Sequence, residues 1–123
     1  MSKPLVIVLD DDSAFRAILK EVFLSSLEVD VEETGDWHQI NPLLTANTKR
    51  TVILISDVQM PGTDGYLVCQ IIRKYYPTVR VIMLTGSDVG EVQRKLKQPD
   101  VPVVSKGGGP EHLIAVVTQA LAA

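Results

Sequence analysis

The sequence predicts an α/β domain built on a doubly wound parallel sheet. Short segments rich in β-branched apolar residues alternate with longer segments of helical period, which is typical of strands and helices in a parallel sheet covered on both faces. The alternation repeats five times along the 123 residues. Three of the apolar segments carry no interior charge, as strands buried on both faces require. A chain of this length accommodates one core of ordinary size.

Each element follows from its own composition. The predicted strands span residues 5–9, 29–32, 52–56, 80–84 and 101–104. The predicted helices span residues 13–27, 37–46, 66–75, 88–96 and 111–121. In the first helix the apolar residues fall on one helical stripe, which comprises Phe15, Ile18, Leu19, Val22 and Phe23. Asp12 and Asp64 are acids placed to begin helices, and Pro110 stands where proline is favoured at a helix start.

The composition of the strands also predicts their order. The first, third and fourth segments contain the continuous apolar runs 5–9, 52–55 and 81–84 and are expected inside the sheet. Residues 29–32 alternate with charge, and the fifth segment contains Pro102, which cannot donate a ladder hydrogen bond, so both belong at edges. The order 2-1-3-4-5 meets these conditions, whereas the order 3-2-1-4-5 would bury the second strand. We therefore expect a flavodoxin-like fold with five helices.

Composition excludes several classes of protein. The single cysteine, Cys69, rules out an internal disulfide and a multi-cysteine zinc site, which suits a reducing compartment. No apolar run approaches the roughly 20 residues that cross a bilayer, and no export signal is visible, so we expect a cytoplasmic protein without membrane contact. With 12 basic and 15 acidic residues and no basic stripe, nucleic acid is not an expected partner of this domain.

Acidic residues follow the two strands that flank the predicted reversal of winding. Asp10 and Asp11 follow the first strand, and Asp57 follows the third. Ligands of open parallel sheets bind beyond the carboxyl ends of such strands. At about 5 Å and an effective dielectric near 20, each pair of ionised carboxylates repels by roughly 3 kcal/mol. A hard divalent cation, Mg²⁺ above all, is the expected compensation.

A hydroxyl and an ammonium are expected at the same rim. Thr85 follows the fourth strand, and Lys106 lies beyond the fifth. A hydroxyl and a cation facing a metal-bound carboxylate are what an added phosphoryl group needs, because its oxygens carry charge. These residues indicate that one aspartate is a carboxylate nucleophile that forms an acyl phosphate.

Together these motifs resemble the receiver domain of two-component response regulators, and the stand-alone chemotaxis and sporulation receivers in particular. The resemblance lies in Asp10-Asp11, Asp57 within the segment ISDVQMPGTDG, Thr85-Gly86 and Lys106. It implies that Asp57 accepts the phosphoryl group, that Thr85 and Lys106 bind its oxygens, and that Gly86 leaves room for it. It also implies Mg²⁺ as the cofactor, held by Asp10, Asp11, Asp57 and the Gln59 carbonyl. Gln59 and Ser87 occupy positions that tune the lifetime of the phosphoryl group in the family.

Two positions depart from the family pattern. The family usually has a proline after its lysine, whereas this chain continues with Gly107-Gly108-Gly109, which adds backbone freedom. The aromatic switch residue of the family corresponds to Val103, so a ring rotation cannot operate there.

Phe15 is apolar, as core residues are, yet its position near the acid pair also suits contact with a phosphodonor.

The resemblance implies signalling rather than turnover of a substrate. Residues 1–123 are expected to form a single receiver domain with no output domain in this chain. The implied phosphodonor is a sensor histidine kinase or a histidine phosphotransfer protein, and the implied output is an unidentified downstream protein. Two alternatives stay open: a haloacid-dehalogenase-like phosphatase using Asp10 within Asp10-x-Asp12, and a degenerate receiver that acts as a docking module.

Overall fold

Five parallel strands form one sheet in the computed structural model, which describes residues 2–123. The strands are β1 (Leu5–Leu9), β2 (Asp30–Thr34), β3 (Val52–Asp57), β4 (Arg80–Thr85) and β5 (Val103–Ser105). Their order across the sheet is β2-β1-β3-β4-β5, with every neighbouring pair parallel. The predicted 2-1-3-4-5 order is confirmed. The continuously apolar strands lie inside, and the strands that carry charge or follow proline lie at the edges.

Five helices cover the two faces of the sheet. They are α1 (Ser13–Ser26), α2 (Ile40–Thr45), α3 (Gly65–Tyr75), α4 (Val89–Leu96) and α5 (Pro110–Ala122). Leu19 and Phe23 of α1 and Val117 of α5 pack against one face of the sheet. Residues of α2, α3 and α4 pack against the other, where the central strands contribute side chains such as Leu54 and Met83. Both faces of β1 and β3 are therefore buried, which explains why their sequences lack polar alternation.

Three elements differ from their predicted bounds by two residues or more, for identifiable reasons. Strand β2 continues to Thr34. The charge of Glu33 favours an end of the strand, but Arg16 compensates it with an ion pair of 2.9 Å. Strand β5 begins after Pro102, because proline has no N–H to donate to the neighbouring strand. The Pro102 carbonyl still accepts a hydrogen bond from the Met83 N–H. The second helical segment divides into a 3₁₀ turn, Trp37–Gln39, and α2, since Pro42 has no N–H to donate to the preceding turn.

Acidic side chains begin three of the helices. Asp12 accepts a hydrogen bond from the Phe15 N–H at the start of α1, and Asp64 accepts one from the Tyr66 N–H at the start of α3. Both were predicted as helix-start acids, and both are confirmed. Asp88 does the same for α4 through the Glu91 N–H. These caps satisfy amide groups that have no partner within the helix.

The connections after β3 and α4 have local structure of their own. A two-residue antiparallel ribbon pairs Gln59–Met60 with Thr63–Asp64 between β3 and α3. At the end of α4, Lys97 takes the left-handed conformation, with φ of 55°. Glycine is usual there, and the lysine is an uncommon helix ending. Within residues 2–123, no helix has both the length and the apolar character needed to cross a membrane.

Candidate phosphoryl-acceptor site

Strands β1 and β3 place two aspartates side by side at the carboxyl edge of the sheet. Leu9 pairs with Ser56 in parallel register, so the next residues, Asp10 and Asp57, leave the two strands at the same height. Asp10 is 0% exposed and Asp57 is 4% exposed. Asp11, one residue further along, is exposed. The register of two apolar strands therefore buries two carboxyl groups together.

The three predicted carboxylates converge as the sequence indicated. One oxygen from each of Asp10, Asp11 and Asp57 lies within 4.8 Å of the others. Neighbouring strands of a sheet are themselves about 4.8 Å apart, which accounts for the spacing of the first and third. Asp10 Oδ1 accepts a hydrogen bond of 2.9 Å from the Asp12 N–H, and Asp57 Oδ1 accepts one of 3.2 Å from the Gln59 N–H. Backbone amides thus orient both buried groups.

Lys106 brings a positive charge into this cluster from the far side of β4. Its Nζ donates a hydrogen bond of 3.0 Å to Asp57 Oδ2 and forms an ion pair of 2.7 Å with Asp10 Oδ2. The lysine side chain is 24% exposed, so the contacts are partly screened from water. The ammonium also lies 5.0 Å from the centroid of the Phe15 ring.

The site perturbs the ionisation of its own groups. Burial is the main cause that raises the pKa of Asp57 above its ordinary value, and the charge of Asp10 adds to it, while the hydrogen bonds from Lys106 and Gln59 oppose the rise. Burial acts to lower the pKa of Lys106, but its contacts with Asp10 and Asp57 outweigh that effect and raise the pKa. Lys106 is consequently a permanent cation at neutral pH.

The donor set fits a divalent cation. Asp10 Oδ2 is buried and receives no hydrogen bond, so its ion pair with Lys106 is its only compensation among the described residues. Three carboxylate oxygens share a space of metal-site dimensions against one ammonium. Hard oxygen ligands with one exposed member are the set that Mg²⁺ prefers, because it retains several of its waters. Asp10, Asp11 and Asp57 are thus the residues that fit such an ion.

Gln59 lies beside the cluster on the ribbon. Its backbone N–H bonds Asp57, which places the residue at the site, and its side chain is exposed. Gly65 closes the other end of the ribbon, with its N–H bonded to the Val58 carbonyl at 3.1 Å. A Cβ at Gly65 would lie 2.4 Å from the Asp57 carbonyl oxygen. The backbone of α3 therefore approaches the end of β3 at a distance that only glycine permits.

Thr85 ends β4 next to Asp57, but it does not hydrogen-bond to the acid cluster. Its side chain is buried, and its Oγ1 accepts a hydrogen bond of 2.9 Å from the Ser87 N–H. Between them, Gly86 has open space: a Cβ built there meets no heavy atom within 4 Å. The structure thus brings Asp10, Asp11, Asp57 and Lys106 into one cluster and places Thr85 at its border.

Two contacts at the site were not predicted from the sequence. Arg16 donates to the backbone carbonyl of Asp10 while its Nε bonds Glu33, so it ties the end of β1 to β2. Phe15 contacts the Lys106 ammonium through its ring. Both residues lie on the first turn of α1, directly after the acid pair. That proximity to Asp10 and Asp11 is the one signal in the sequence that points to them.

The residues that depart from the family pattern, Val103 and the glycines after Lys106, have well-defined conformations in the structure. Val103 is buried in β5, and no aromatic ring stands there. Lys106–Gly108 form a 3₁₀ turn in which the Ser105 hydroxyl oxygen accepts from the Gly107 N–H. Gly109 has φ of 81° and ψ of 165°, a conformation that is essentially restricted to glycine.

Cys69 is buried in α3, and burial raises the pKa of its thiol to about 11, so it is not a nucleophile of this site.

Comparison with known families agrees with this geometry. A family model described as the response regulator receiver domain matches residues 6–118. The chain belongs to the response regulator receiver domain family. Receiver domains are signalling modules of two-component systems, so the resemblance drawn from the acid pair, Asp57, Thr85 and Lys106 is confirmed at the level of the family.

Individual relatives are longer regulators. The chain is 34% identical over 122 residues to the probable transcriptional regulator ycf27 of Porphyridium aerugineum, covering 98% of this chain and 49% of that protein. It is 28% identical over 123 residues to the DNA-binding transcriptional regulator NtrC of Proteus hauseri, covering 98% of this chain and 25% of that protein. This receiver domain therefore spans from a quarter to about half the length of these curated relatives.

Solved receiver structures share the fold. The signal receiver domain of an HD domain-containing protein from Pseudomonas fluorescens Pf-5 matches with a TM-score of 0.83 and 22% identity, over 99% of this chain and 89% of that one. The response regulator protein TrrA from Thermotoga maritima, solved in complex with Mg(2+)-BeF, matches with a TM-score of 0.80 and 22% identity, over 96% of this chain and 98% of that one.

Proposed function

We propose that this chain is a phospho-accepting receiver in which Asp57 takes a phosphoryl group from a phosphohistidine and thereby changes partner binding. The donor is a sensor histidine kinase or a histidine phosphotransfer protein. The observation that carries the proposal is the convergence of the Asp10, Asp11 and Asp57 carboxylates within 4.8 Å, with Lys106 bonded to the last of them. Membership of the receiver family supports the same function.

In this reaction the phosphoryl group passes from the donor to the Asp57 carboxylate. A carboxylate oxygen of Asp57 forms a bond to phosphorus while the bond from phosphorus to the donor breaks, and the donor leaves with that electron pair. Negative charge develops on the phosphoryl oxygens. Lys106 supplies a cation 3.0 Å from Asp57, and the Thr85 hydroxyl at the end of β4, whose oxygen accepts from the Ser87 N–H, supplies its own O–H as a donor. Lys106 neutralises part of that charge, and Thr85 stabilises it by a hydrogen bond.

Asp10, Asp11, Asp57 and the Gln59 carbonyl are the residues we assign to Mg²⁺. When bound, Mg²⁺ supplies charge neutralisation for the carboxylates and the phosphoryl oxygens. The buried Asp10 Oδ2 receives no hydrogen bond and has the Lys106 ammonium as its compensation among the described residues, which supports this assignment, as does the Mg(2+)-BeF complex of the related TrrA protein. The exposed Asp11 is the member of the set most accessible to a hydrated ion.

The first prediction is that the protein takes up one phosphoryl group from acetyl phosphate and Mg²⁺, and that the group maps to Asp57. Intact-mass measurement gives the stoichiometry, and borohydride reduction followed by peptide mapping gives the residue. Asp57→Asn is expected to lose uptake. Asp36→Asn, a matched change at an exposed acid that caps the Trp37–Gln39 turn, is expected to keep it. Uptake by Asp57→Asn at the wild-type rate overturns the proposal.

The same experiment separates the alternatives. A haloacid-dehalogenase-like phosphatase would carry the phosphoryl group on Asp10, a residue that is 0% exposed and paired with Lys106. A degenerate receiver that acts as a docking module would take up no phosphoryl group at all. A receiver carries it on Asp57.

The proposal also covers the setting of the domain. Residues 1–123 form one receiver that assists its own phosphorylation and dephosphorylation and turns over no other substrate. Its output therefore passes through another protein molecule or through further chain, without nucleic acid or membrane contact by this domain. The single buried cysteine suits a reducing cytoplasm, where a phosphohistidine donor is available.

A further inference from the structure

We propose that Phe15 is a positioning residue for Lys106, holding the ammonium at the rim of the acid cluster through a cation–π contact. The inference rests on the proposed function, because it gives Phe15 a part in the same phosphoryl-acceptor site. Phe15 carries no charge and acts through its contact with Lys106.

The backbone that carries Lys106 has few restraints. Gly107, Gly108 and Gly109 follow it, and all are exposed. A Cβ at Gly108 would meet nothing within 4 Å, and one at Gly107 would meet only the Ser105 hydroxyl oxygen at 3.8 Å. The space beside Gly107 and Gly108 is therefore open, and glycine adds conformational freedom to this turn, in which the Gly107 N–H donates a hydrogen bond of 3.2 Å to the Ser105 hydroxyl oxygen. A long lysine side chain on such a turn loses rotamer entropy when it is ordered.

The ammonium of Lys106 is held from two directions. On one side it meets the carboxylates, at 2.7 Å from Asp10 Oδ2 and 3.0 Å from Asp57 Oδ2. On the other side it lies 5.0 Å from the centroid of the Phe15 ring. A cation within about 6 Å of a ring centroid is attracted by the negative face of the ring. The ring thus restrains the cation where the glycine turn does not.

Phe15 is itself well anchored. It lies in the first turn of α1, where its N–H donates to Asp12, and its half-buried ring packs against the apolar layer between α1, α5 and the sheet. Because the ring is neutral, its attraction for the ammonium persists when Asp57 is phosphorylated or the acid cluster binds a cation. Phe15 therefore restrains Lys106 through a contact that neither event removes.

The second prediction is that Phe15→Leu slows phosphoryl uptake from acetyl phosphate about three- to tenfold, the range expected for losing a partly desolvated cation–π contact. Leucine keeps an apolar side chain and removes the ring, whereas Phe15→Tyr keeps the ring and is expected to restore uptake to within about twofold. Ile18→Ala, one turn along α1 at a position 58% exposed, is the matched control and is expected to react like wild type. Uptake by Phe15→Leu at the wild-type rate overturns the proposal.

Two measurements distinguish positioning from general support of the fold. In a Lys106→Met background, followed over longer incubations, Phe15→Leu is expected to cause no further loss; a loss as large as in the wild-type background refutes the proposal. Without donor or metal, NMR of the free protein is expected to show a ring-current shift of the Lys106 side-chain protons. Phe15→Tyr keeps that shift and Phe15→Leu abolishes it; an unchanged shift in Phe15→Leu overturns the contact. If wild type takes up no phosphoryl group, the proposed function fails, while the NMR measurement still decides the contact.

Discussion

At the scale of single residues, the site depends on positions where the surroundings restrict the size or the charge of the side chain. Asp10 is fully buried, and its Oδ2 receives no hydrogen bond and is compensated among the described residues by the ion pair with Lys106 alone, which suits a cation-binding carboxylate. Gly65 is the second such position, because the backbone of β3 occupies the space where a side chain would be. Such residues limit the substitutions that the receiver can accept.

The third prediction concerns Gly65→Ala, which is expected to lower the free energy of unfolding by about 1–3 kcal/mol, the usual cost of forcing extra volume into a packed site. The new Cβ would lie 2.4 Å from the Asp57 carbonyl oxygen and 2.6 Å from Val58 Cα, both backbone atoms that cannot rotate away. Urea denaturation measures the change. Gly86→Ala, where nothing lies within 4 Å, is the control and is expected to stay within about 1 kcal/mol of wild type. Equal losses in the two variants would contradict the steric explanation.

At the scale of elements, three of the helices that follow the carboxyl edge, α1, α3 and α4, begin at an aspartate that caps the helix through its side chain. Helix α4 has only eight residues, so its two ends make up much of its length. Asp88 caps the start with a hydrogen bond of 3.0 Å from the Glu91 N–H. Its other end is the left-handed Lys97, which is less favourable than glycine. The stability of α4 therefore depends on the cap and on the burial of Val92 and Leu96.

The fourth prediction is that Asp88→Ala destabilises the protein by about 1 kcal/mol, the typical loss of an N-cap, whereas Asp88→Asn stays within a few tenths of wild type. Asparagine retains the accepting oxygen, and alanine has none. Thermal unfolding followed by circular dichroism compares the two. If asparagine costs as much as alanine, the carboxylate charge rather than the hydrogen bond supports the start of α4.

At the scale of the whole molecule, the net charge of −3 conceals an uneven distribution. Three carboxylates share the carboxyl edge of the sheet with one ammonium. Their repulsion is a cost that the folded state bears and the unfolded chain avoids, since the extended chain separates them. A cation that binds only the folded arrangement relieves this cost and stabilises the fold.

The fifth prediction is that Mg²⁺ raises the melting temperature. A concentration about ten times the dissociation constant adds about 1.4 kcal/mol to the free energy of unfolding. Asp11→Asn, which changes an exposed ligand and so is expected to fold normally, should shrink the shift, and excess EDTA should reverse it. KCl at matched ionic strength controls for general screening. A melting temperature that does not respond to millimolar Mg²⁺ counts against the metal site.

The sequence by itself determined the fold class, the strand order and the group of residues at the carboxyl edge. It could do so because β-branched segments without charge must be buried on both faces, and because parallel strands bring their carboxyl ends to one edge. Asp10, Asp11, Asp57 and Lys106 were predicted as one site on that basis. Element ends were less predictable, since the Arg16–Glu33 pair supports the longer β2, and Pro102, which has no N–H to donate, precedes β5.

Only the tertiary structure decided which groups touch. Side-chain direction and the approach of distant elements have no local signature, so the ring of Phe15 beside Lys106 and the contact of Gly65 with the end of β3 are visible only in the fold. The same holds for Thr85, whose hydroxyl bonds Ser87 instead of the acid cluster. Composition and periodicity predict which faces are buried, because burial depends on the character of the residues along a whole element. Contacts across 90 residues, such as that between Phe15 and Lys106, depend on how all the elements pack at once.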